Sequence, residues 1–298
     1  MLKRIKEEIT MEFEKNRGYV FVAYHKPFSM LDQSFVVPVY AGKACTKDLK
    51  DAKYTPENHE WLSSNMIGDD TGENISIRNH ELNECTVLYW VWKNLNLNEF
   101  KYIGMLQYRR QLILNDLYEK APNDIEKKAY KCVHFQRASS RLCTQIGLTD
   151  DNICKLLENY DCILPYESDL EEMKISNVYE DWVRKIPGVH IDDLIALERV
   201  IQQIHPEMAA DFSQYLNGPK KRMYEMFIAL PKIVDEYCGW LFDILFRLDS
   251  EIDTTLYSVN GKRTLGYLAE VLYGFYFAYM IKHNGLRVKE CGVTFIKE

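Results

Sequence analysis

The sequence predicts an α/β protein in which a mixed sheet is flanked by helices and the C-terminal half is rich in helix. Two apolar runs of strand length, residues 18–24 and 102–106, lack the alternation of a half-exposed strand and therefore predict buried strands. Between them, apolar residues recur at helical spacing over residues 81–94 and predict an amphipathic helix. Beyond residue 177, long apolar and aromatic stretches at helical spacing predict that most of the remaining chain is helix.

Composition narrows the class of protein. The chain has 298 residues, of which 47% are hydrophobic, which is enough for a complete core in one large domain or two small ones. The formal net charge of −7 argues against broad nucleic-acid binding, because proteins of that class present a basic face. Eight cysteines occur without a C-x-x-C pair, so they predict reduced thiols rather than disulfides or a zinc site. No run of about 18 apolar residues and no signal-peptide pattern is present, so we expect a cytoplasmic protein.

Residues 1–17 are predicted to form an amphipathic N-terminal helix, followed by a single domain over residues 18–298. The apolar residues that carry the helical spacing are Leu2, Ile5, Ile9 and Phe13. The favoured interpretation is a surface helix that packs on the domain. The alternative is a helix that docks on a membrane surface or on a partner.

The rest of the chain adds further elements to this plan. Residues 35–41 form another apolar run, but Pro38 cannot donate to a central ladder and predicts an edge strand or an extended loop. Residues 111–149 form a long charged segment, which predicts an excursion from the sheet that acts as a lid or insertion. Further strands are predicted at residues 160–165 and 223–230, a helix fed by a turn over 186–193, and long helices at 231–248 and 263–281.

The polar residues that follow the strand at 102–106 indicate a ligand site. Residues 107–110, Gln-Tyr-Arg-Arg, lie at its carboxyl end, and ligands bind at the carboxyl ends of strands in open α/β sheets. A guanidinium group matches two phosphate oxygens at once. The two adjacent arginines therefore predict an anionic ligand.

Several short motifs in this chain carry a family resemblance. They are GENIS at residues 72–76, LYW-x-WKN at 88–94, YIG at 102–104 and YRR at 108–110. In that order they resemble the glycosyltransferase family that is encoded in bacterial capsular, exopolysaccharide and O-antigen clusters and was long labelled a domain of unknown function. Further matches continue the order: HKP at 25–27, PVYAGK at 38–43, His190 with Asp193, EYCGWLF at 236–242, and Arg263 with GYLAE at 266–270. The resemblance covers roughly residues 18 to 280.

The chain departs from the family's pattern at three places. The family typically has His where this chain has Gln107, and Cys-Glu-Leu-Thr where this chain has Asn-Glu-Cys-Thr at residues 83–86. It usually has Asn where this chain has Glu225. A role of that amide in sugar recognition is therefore not carried over to this chain.

The resemblance implies a GT-A-like fold, the α/β fold of nucleotide-diphospho-sugar transferases. Residues 18–165 would form the nucleotide-sugar-binding half, and residues 166–298 the helical acceptor and catalytic half. The implied activity moves a hexose from a nucleotide sugar to a growing capsular, exopolysaccharide or O-antigen glycan. Galactose, in pyranose or furanose form, and a UDP-sugar donor are the leading choices.

The resemblance also implies partners for this activity. The implied acceptor is lipid-linked or an oligosaccharide, and peripheral association with the inner face of the membrane would follow from a lipid-linked one. The alternative, from a different class, is a non-catalytic nucleotide- or carbohydrate-binding subunit of a polysaccharide-assembly complex.

The same resemblance nominates the site residues. Those expected to bind the donor are His25, Lys26, Asp70, Asn74, Asn79, Gln107, Arg109, Arg110 and Arg263. Those expected to act in catalysis are His190, Asp193 and Glu270. An inverting transfer needs a carboxylate that takes the acceptor hydroxyl proton, and Asp193 or Asp192 is placed to supply it, although an Asp at a helix start is equally a cap. Glu270 is expected to bind a sugar hydroxyl or to be the alternative base.

The chain contains no Asp-x-Asp motif, which most GT-A enzymes use to hold a divalent cation on the donor diphosphate. Gln107, Tyr108 and Arg109 stand where that motif is expected. Two arginines can neutralise a leaving diphosphate without a metal ion, so no cofactor is expected to be required. If Mg or Mn binds instead, Asp69 and Asp70 are the expected ligands.

Overall fold

The computed structural model describes residues 2–5, 8–47, 55–138, 141–185 and 188–297 of the chain. Its strands are β1 (Leu2–Ile5), β2 (Glu8–Met11), β3 (Tyr19–Tyr24), β4 (Val36–Tyr40), β5 (Ile67–Gly68), β6 (Ile103–Gln107), β7 (Leu112–Ile113), β8 (Cys132–Phe135), β9 (Cys162–Pro165), β10 (Ser168–Asp169), β11 (Lys220–Lys221), β12 (Phe227–Ala229) and β13 (Val288–Ile296). Its helices are α1 (Pro56–Asn65), α2 (Asn79–Leu82), α3 (Cys85–Asn94), α4 (Leu117–Lys120), α5 (Ile125–Tyr130), α6 (Leu142–Gln145), α7 (Asp150–Leu157), α8 (Val178–Lys185), α9 (Ile191–Ile204), α10 (Ala209–Leu216), α11 (Pro231–Leu248) and α12 (Thr264–Asn284).

Nine strands form one mixed sheet in the order β5-β4-β3-β6-β12-β9-β13-β7, with β8 also paired to β13. Strands β3, β4, β5 and β6 are parallel to their neighbours in this group, whereas β12 is antiparallel to both β6 and β9. The predicted mixed sheet flanked by helices is therefore confirmed. Two of its strands, β12 and β13, come from residues 166–298, so both parts of the chain build the same sheet.

Strand β3 shows how the two faces of the sheet are covered. All of its residues are buried, which is expected of a strand with helices on both faces. Alternate residues beginning with Tyr19 point into one core, which packs beneath α3, α9, α11 and α12. Those beginning with Val20 point into a second core on the other face, closed by α1, α6 and α7. The long helices of the first core account for the predicted helix-rich C-terminal half.

The predicted N-terminal helix over residues 1–17 is wrong. Strands β1 and β2 form an antiparallel pair in which Leu2 lies opposite Met11 and Ile5 opposite Glu8, while residues 1, 6 and 7 lie outside the described part. Short apolar patterns fit a helix and a strand almost equally well. Here the segment contains several β-branched residues, which favour an extended backbone, and pairing between the two strands satisfies the backbone without a helix.

Two further expectations change in detail. Pro38 lies within β4, which is not an edge strand. The neighbouring strand β5 is only two residues long and pairs with Val39 and Tyr40, so it does not pair with the proline. The long segment at residues 111–149 does not simply leave the sheet, because β7 and β8 both pair with β13. Residues 139 and 140 of that segment, and residues 186 and 187 of the turn predicted before α9, lie outside the described part.

The single helix predicted over residues 81–94 is divided in two. Helix α2 ends at Leu82 and α3 begins at Cys85, and Asn83 between them has a φ of 51°. Asn adopts this conformation more readily than most residues. The break places Asn83 and Glu84 where a continuous helix would have hidden them, at the rim of the cavity described next. Within the described ranges, no helix is long and apolar enough to cross a membrane.

Candidate active site

A cavity of about 1000 Å³ opens at the carboxyl ends of β3 and β6, between the sheet and the N-terminal ends of α3 and α12. The sequence-predicted site residues that line it are His25, Asn79, Gln107, Arg109, Arg110, Arg263 and Glu270. They come from four separate parts of the chain. The fold therefore gathers most of the nominated donor-binding residues in one concave site.

The two adjacent arginines are held by neutral partners. Arg110 forms an isolated bridge with Gln107, so the chain turns tightly after β6 and presents both side chains at the sheet edge. Arg109 donates from Nη2 to the Lys297 carbonyl at 2.9 Å, and Arg110 donates from Nη1 to Gln107 Oε1 at 3.2 Å. Among the described residues, no carboxylate lies within ion-pair distance of either guanidinium.

Aromatic rings flank the same guanidinium groups. The Cζ atom of Arg110 lies 4.8 Å from the centre of the Tyr224 ring and 5.1 Å from that of Phe295. The Cζ atom of Arg109 lies 5.4 Å from the centre of the Phe295 ring. In addition, the buried Nε of Arg109 has no hydrogen-bond partner in the described part of the chain. The rings fix the direction of both side chains and leave their charge available to a ligand.

A third arginine faces the cavity from the start of α12. Arg263 donates from Nε to Asn83 Oδ1 at 2.6 Å, and its Cζ lies 5.5 Å from the centre of the Tyr267 ring. A Cβ atom at Gly266 would lie 2.1 Å from Asn83 Nδ2, so a glycine is needed where α12 meets the break between α2 and α3. This close approach brings Arg263 to the same cavity as the arginine pair.

Three carboxylates line the same cavity as the arginines, namely Glu84, Glu225 and Glu270. Glu84 accepts a hydrogen bond from Gln107 Nε2, and Glu225 accepts one from Cys85 Sγ at 3.2 Å. Burial raises the pKa of Glu84, and the nearby Glu270 carboxylate raises it further. The positive charges of Arg263 and Arg110 act in the opposite direction and lower it. Burial also raises the pKa of Glu225 well above its usual range, with Glu84 adding to the shift. Carboxylates that raise one another's pKa favour a protonated member of the group.

Glu270 has a supporting role as well as access to the cavity. Its Oε2 accepts the backbone N–H of Tyr224 at 2.9 Å, and its Oε1 lies 3.4 Å from Nζ of the buried Lys221. The side chain is nevertheless 32% exposed, whereas Glu225 is only 8% exposed. Of these two carboxylates, Glu270 is therefore the one that a second substrate can reach more easily.

The backbone at Tyr224 and Glu225 is strained. Both are non-glycine residues with positive φ values, 78° and 48°. The conformation is held by Glu270, by the Tyr224 hydroxyl, which donates to the Tyr130 carbonyl at 2.8 Å, and by Gln107 Nε2, which donates to the Tyr224 carbonyl at 2.9 Å. Such strain persists where the surroundings enforce it and is common at functional sites. The strand predicted from residue 223 begins only at Phe227 because these two residues turn the chain.

Replacing Glu225 with Gln should raise the free energy of unfolding, and the gain should grow as the pH rises from about 5 to 8. The folded protein keeps a proton on Glu225 that the unfolded chain releases above a pKa of about 4.3, so ionisation of the unfolded chain lowers stability with rising pH. Gln cannot ionise and avoids this loss. Urea unfolding at several pH values measures the effect, and an equal change at every pH would contradict it.

His190 and Asp193 lie outside the cavity, where they cap α9. Asp193 is buried, and its carboxylate accepts the His190 N–H at 3.1 Å, the Tyr257 hydroxyl at 2.7 Å and the Thr264 hydroxyl at 2.7 Å. His190 is the N-cap residue of the same capping box and is exposed, as is Asp192. The structure thus gives this element a capping role, which ties α9 to the start of α12, and its catalytic role stays a prediction.

Replacing Asp193 with Ala should therefore lower the free energy of unfolding by about 2–3 kcal/mol, because a helix cap is lost and two hydroxyls lose their acceptor. Turnover per folded molecule should stay within about twofold of the original, since no reacting group is removed. Urea unfolding and active-site-normalised rates measure the two effects. A variant that folds as well as the original but is inactive would return Asp193 to the catalytic residues.

The other nominated residues lie near the cavity or form turns. Lys26 Nζ is 5.9 Å from the centre of the Tyr108 ring, beside His25, whose Nε2 is 3.5 Å from the Tyr108 hydroxyl. Asn74 shapes a turn, because its Oδ1 accepts the Ser76 N–H at 3.2 Å and its Nδ2 donates to the Gly72 carbonyl at 3.0 Å. Lys26 and Asn74 do not line the cavity.

Asp69 and Asp70, the expected ligands of a divalent cation, lie outside the cavity. The buried Asp69 carboxylate accepts backbone N–H groups of Gly42 and Lys43 at 2.9 and 3.1 Å and hydroxyls of Ser76 and Thr86 at 2.5 and 2.7 Å. These donors occupy the lone pairs that a metal ion needs. Asp70 lies 3.4 Å from Lys43 Nζ, and neither aspartate lines the cavity.

The fold and the site together define the class of protein: an α/β protein with a cationic cavity at the carboxyl ends of its parallel strands. Over residues 19–283 the chain matches the family described as "Domain of unknown function (DUF4422)", and it belongs to that family. No curated protein matches it.

Comparison with a solved structure identifies the fold. The chain is similar to the apo structure of WbbM, a bifunctional glycosyltransferase, with 27% sequence identity and a TM-score of 0.81 over 95% of this chain. It covers 46% of the WbbM chain, so it spans less than half the length of that protein. The likeness and the mixed open sheet confirm a GT-A-like α/β fold.

Proposed function

We propose that this protein is a glycosyltransferase that moves a hexose from a nucleotide sugar to a growing capsular, exopolysaccharide or O-antigen glycan. The observation that carries the proposal is that Arg109, Arg110 and Arg263 line one cavity without a carboxylate partner among the described residues. The likeness to a chain with glycosyltransferase activity supports the same class of reaction. The donor is a UDP-sugar in this proposal, with galactose as the first sugar to test.

The arginines act on the leaving group. As the bond between the sugar C1 and the phosphate oxygen breaks, negative charge develops on the nucleotide diphosphate. Fixed guanidinium groups stabilise that charge without reorganisation and contact two phosphate oxygens each. His25 directly follows β3 and lines the same cavity, and in this proposal it contacts the ribose or base.

The proton of the acceptor hydroxyl goes to the carboxylate cluster opposite. In an inverting transfer, a new bond forms between C1 and the acceptor oxygen while a carboxylate takes the hydroxyl proton. Glu270 is our candidate for this base because its side chain is partly exposed in the cavity. Glu84 is the rival candidate, since burial raises its pKa toward the range in which a general base is most effective.

Two exposed apolar residues near the cavity support a lipid-linked acceptor and peripheral association with the inner face of the membrane. Leu256 is 96% exposed and Val259 is 79% exposed, and Val259 lines the cavity. Lys262 follows them on the cavity rim. Apolar side chains next to a basic residue suit contact with an anionic lipid surface.

A thermal-shift panel of nucleotide sugars, followed by a product assay with soluble and lipid-linked acceptors, tests the proposal. We expect UDP-sugars to raise the melting temperature and to be turned over with one acceptor class. Binding without turnover would instead support a non-catalytic subunit. The buried Glu225, which stands where the family usually has Asn, favours that alternative. Failure of every nucleotide sugar to bind would contradict both the transferase and a nucleotide-binding subunit.

Transfer should not require added Mg²⁺ or Mn²⁺. The arginines supply the positive charge that a metal supplies elsewhere, the Asp69 carboxylate is already filled by hydrogen-bond donors, and Asp70 does not line the cavity. Protein treated with chelator should keep its rate within about twofold when Mg²⁺ or Mn²⁺ is titrated back. A rate that rises steeply with Mn²⁺ would contradict the arginine mechanism.

A further inference from the structure

A second group of ligand-type side chains lies outside the cavity, where α5 turns back into β8. Cys132 and His134 are two residues apart in β8 and so share one face of the strand. Helix α5 ends at Tyr130, and its C-cap residue Lys131, with a φ of 54°, reverses the chain directly into the strand. This reversal lays Glu126 of α5 against the same face.

The three ligand atoms are close to one another. Glu126 Oε2 is 3.8 Å from Cys132 Sγ and 3.4 Å from His134 Nε2, and all three atoms lie within 4.8 Å. Around a tetrahedral zinc ion with ordinary bond lengths, such atoms are about 3.3–3.6 Å apart. The cluster therefore needs only a small contraction to enclose an ion.

The donor set selects the kind of metal. A thiolate, an imidazole and a carboxylate suit zinc, whereas Mg²⁺ and Mn²⁺ prefer oxygen ligands alone. Three protein ligands leave one tetrahedral position for water. Cys132 is buried, while the side chains of His134 and Glu126 are 32% and 42% exposed, so an ion has a route in from solvent.

We propose that Glu126, Cys132 and His134 bind one zinc ion. This site is distinct from the cavity but adjoins its wall: the His134 ring centre is 5.2 Å from that of Phe295, which flanks both Arg109 and Arg110. A bound ion would fasten α5 to β8, and through β8 to β13, behind the arginine pair. The proposal does not depend on the enzymatic activity.

Zinc content and cobalt substitution of the full chain test this site. We expect about one zinc per chain after zinc loading and dialysis, and a thiolate-to-cobalt charge-transfer band when Co²⁺ replaces zinc. The variants C132S and H134A should lose at least about tenfold in zinc affinity, measured by competition with a chromogenic chelator. Zinc should raise the melting temperature of the original protein but not of these variants.

Cys154→Ser is the matched control, because Cys154 is a half-buried cysteine on α7 outside the cluster. It should keep the zinc content, the cobalt band and the thermal shift of the original protein. Folding of each variant is checked by circular dichroism. Zinc uptake that is the same in C132S as in the original, a cobalt spectrum without a thiolate band, or no retained zinc in the original protein would each overturn the site.

Discussion

Replacing Arg110 with Ala is expected to lower kcat/KM for the nucleotide sugar about 10²–10³-fold, the usual effect of removing one fixed donor from a developing anion. Arg110 lies between the Tyr224 and Phe295 rings and donates to a neutral amide, so its charge is directed at the cavity rather than used within the protein. The loss should appear in both donor affinity and kcat. Steady-state kinetics and nucleotide-sugar titration measure the two contributions.

A change to Lys should restore only part of this loss, because an ammonium group keeps the charge but not the paired geometry of a guanidinium. The Arg110→Ala variant should fold, since no carboxylate is left without its partner. Arg287→Ala is the matched control, because this arginine pairs with Asp161 at 2.6 Å on the surface. An Arg110→Ala variant with unchanged kinetics would remove the main support for the diphosphate site.

The position of the arginine pair was predictable because it depends on local features. A buried strand can be recognised from its apolar run, and its carboxyl end marks the sheet edge at which ligands bind. Strands β3 and β6 are parallel neighbours, so their carboxyl ends meet at the same edge of the sheet. The residues there, His25, Gln107 and Arg110, therefore line one cavity. The order of strands across the sheet, however, depends on contacts between distant residues, and the sequence alone does not determine it.

Of the carboxylate cluster only Glu270 was predicted as a site residue, because the three members meet only through the fold. Glu225 contacts Cys85, 140 positions away in sequence, and the apolar pattern of residues 223–230 predicts a strand that gives no sign of the positive φ values at its start. The presence of Glu where the family usually has Asn was the one available signal. The cluster of Glu126, Cys132 and His134 on α5 and β8 was missed for a similar reason. A search for paired cysteines does not detect one cysteine that meets a histidine and a glutamate.

The His-x-x-Asp element is compatible with two roles in the sequence, a helix cap and a catalytic base. An N-cap residue and an acid three positions later also define a capping box, and the structure has this arrangement at His190 and Asp193. The spacing alone could not decide between a cap and a base. The burial of Asp193 and its two hydroxyl donors from distant residues, Tyr257 and Thr264, favour the cap, and the catalytic role stays a prediction.

Glu270→Gln should lower kcat about 10²–10⁴-fold with little change in the KM of the donor, because it removes a base and leaves the arginines in place. Gln can still accept the Tyr224 N–H, and Lys221 keeps its ion pair with Asp181 at 2.8 Å, so the strained turn should persist. The pH profile of kcat distinguishes a base from a purely structural group, since loss of a base removes the rise on the acidic limb.

Two matched variants complete this experiment. Glu236→Gln changes a surface carboxylate on α11 that pairs with Lys232 at 3.7 Å, and it should leave the rate unchanged. Glu84→Gln addresses the rival base within the same cluster. If Glu270→Gln keeps the acidic limb while Glu84→Gln abolishes it, then Glu84 is the proton acceptor, and Glu270 serves to hold the Tyr224 backbone. If neither change affects the profile, the carboxylate cluster does not carry the proton transfer.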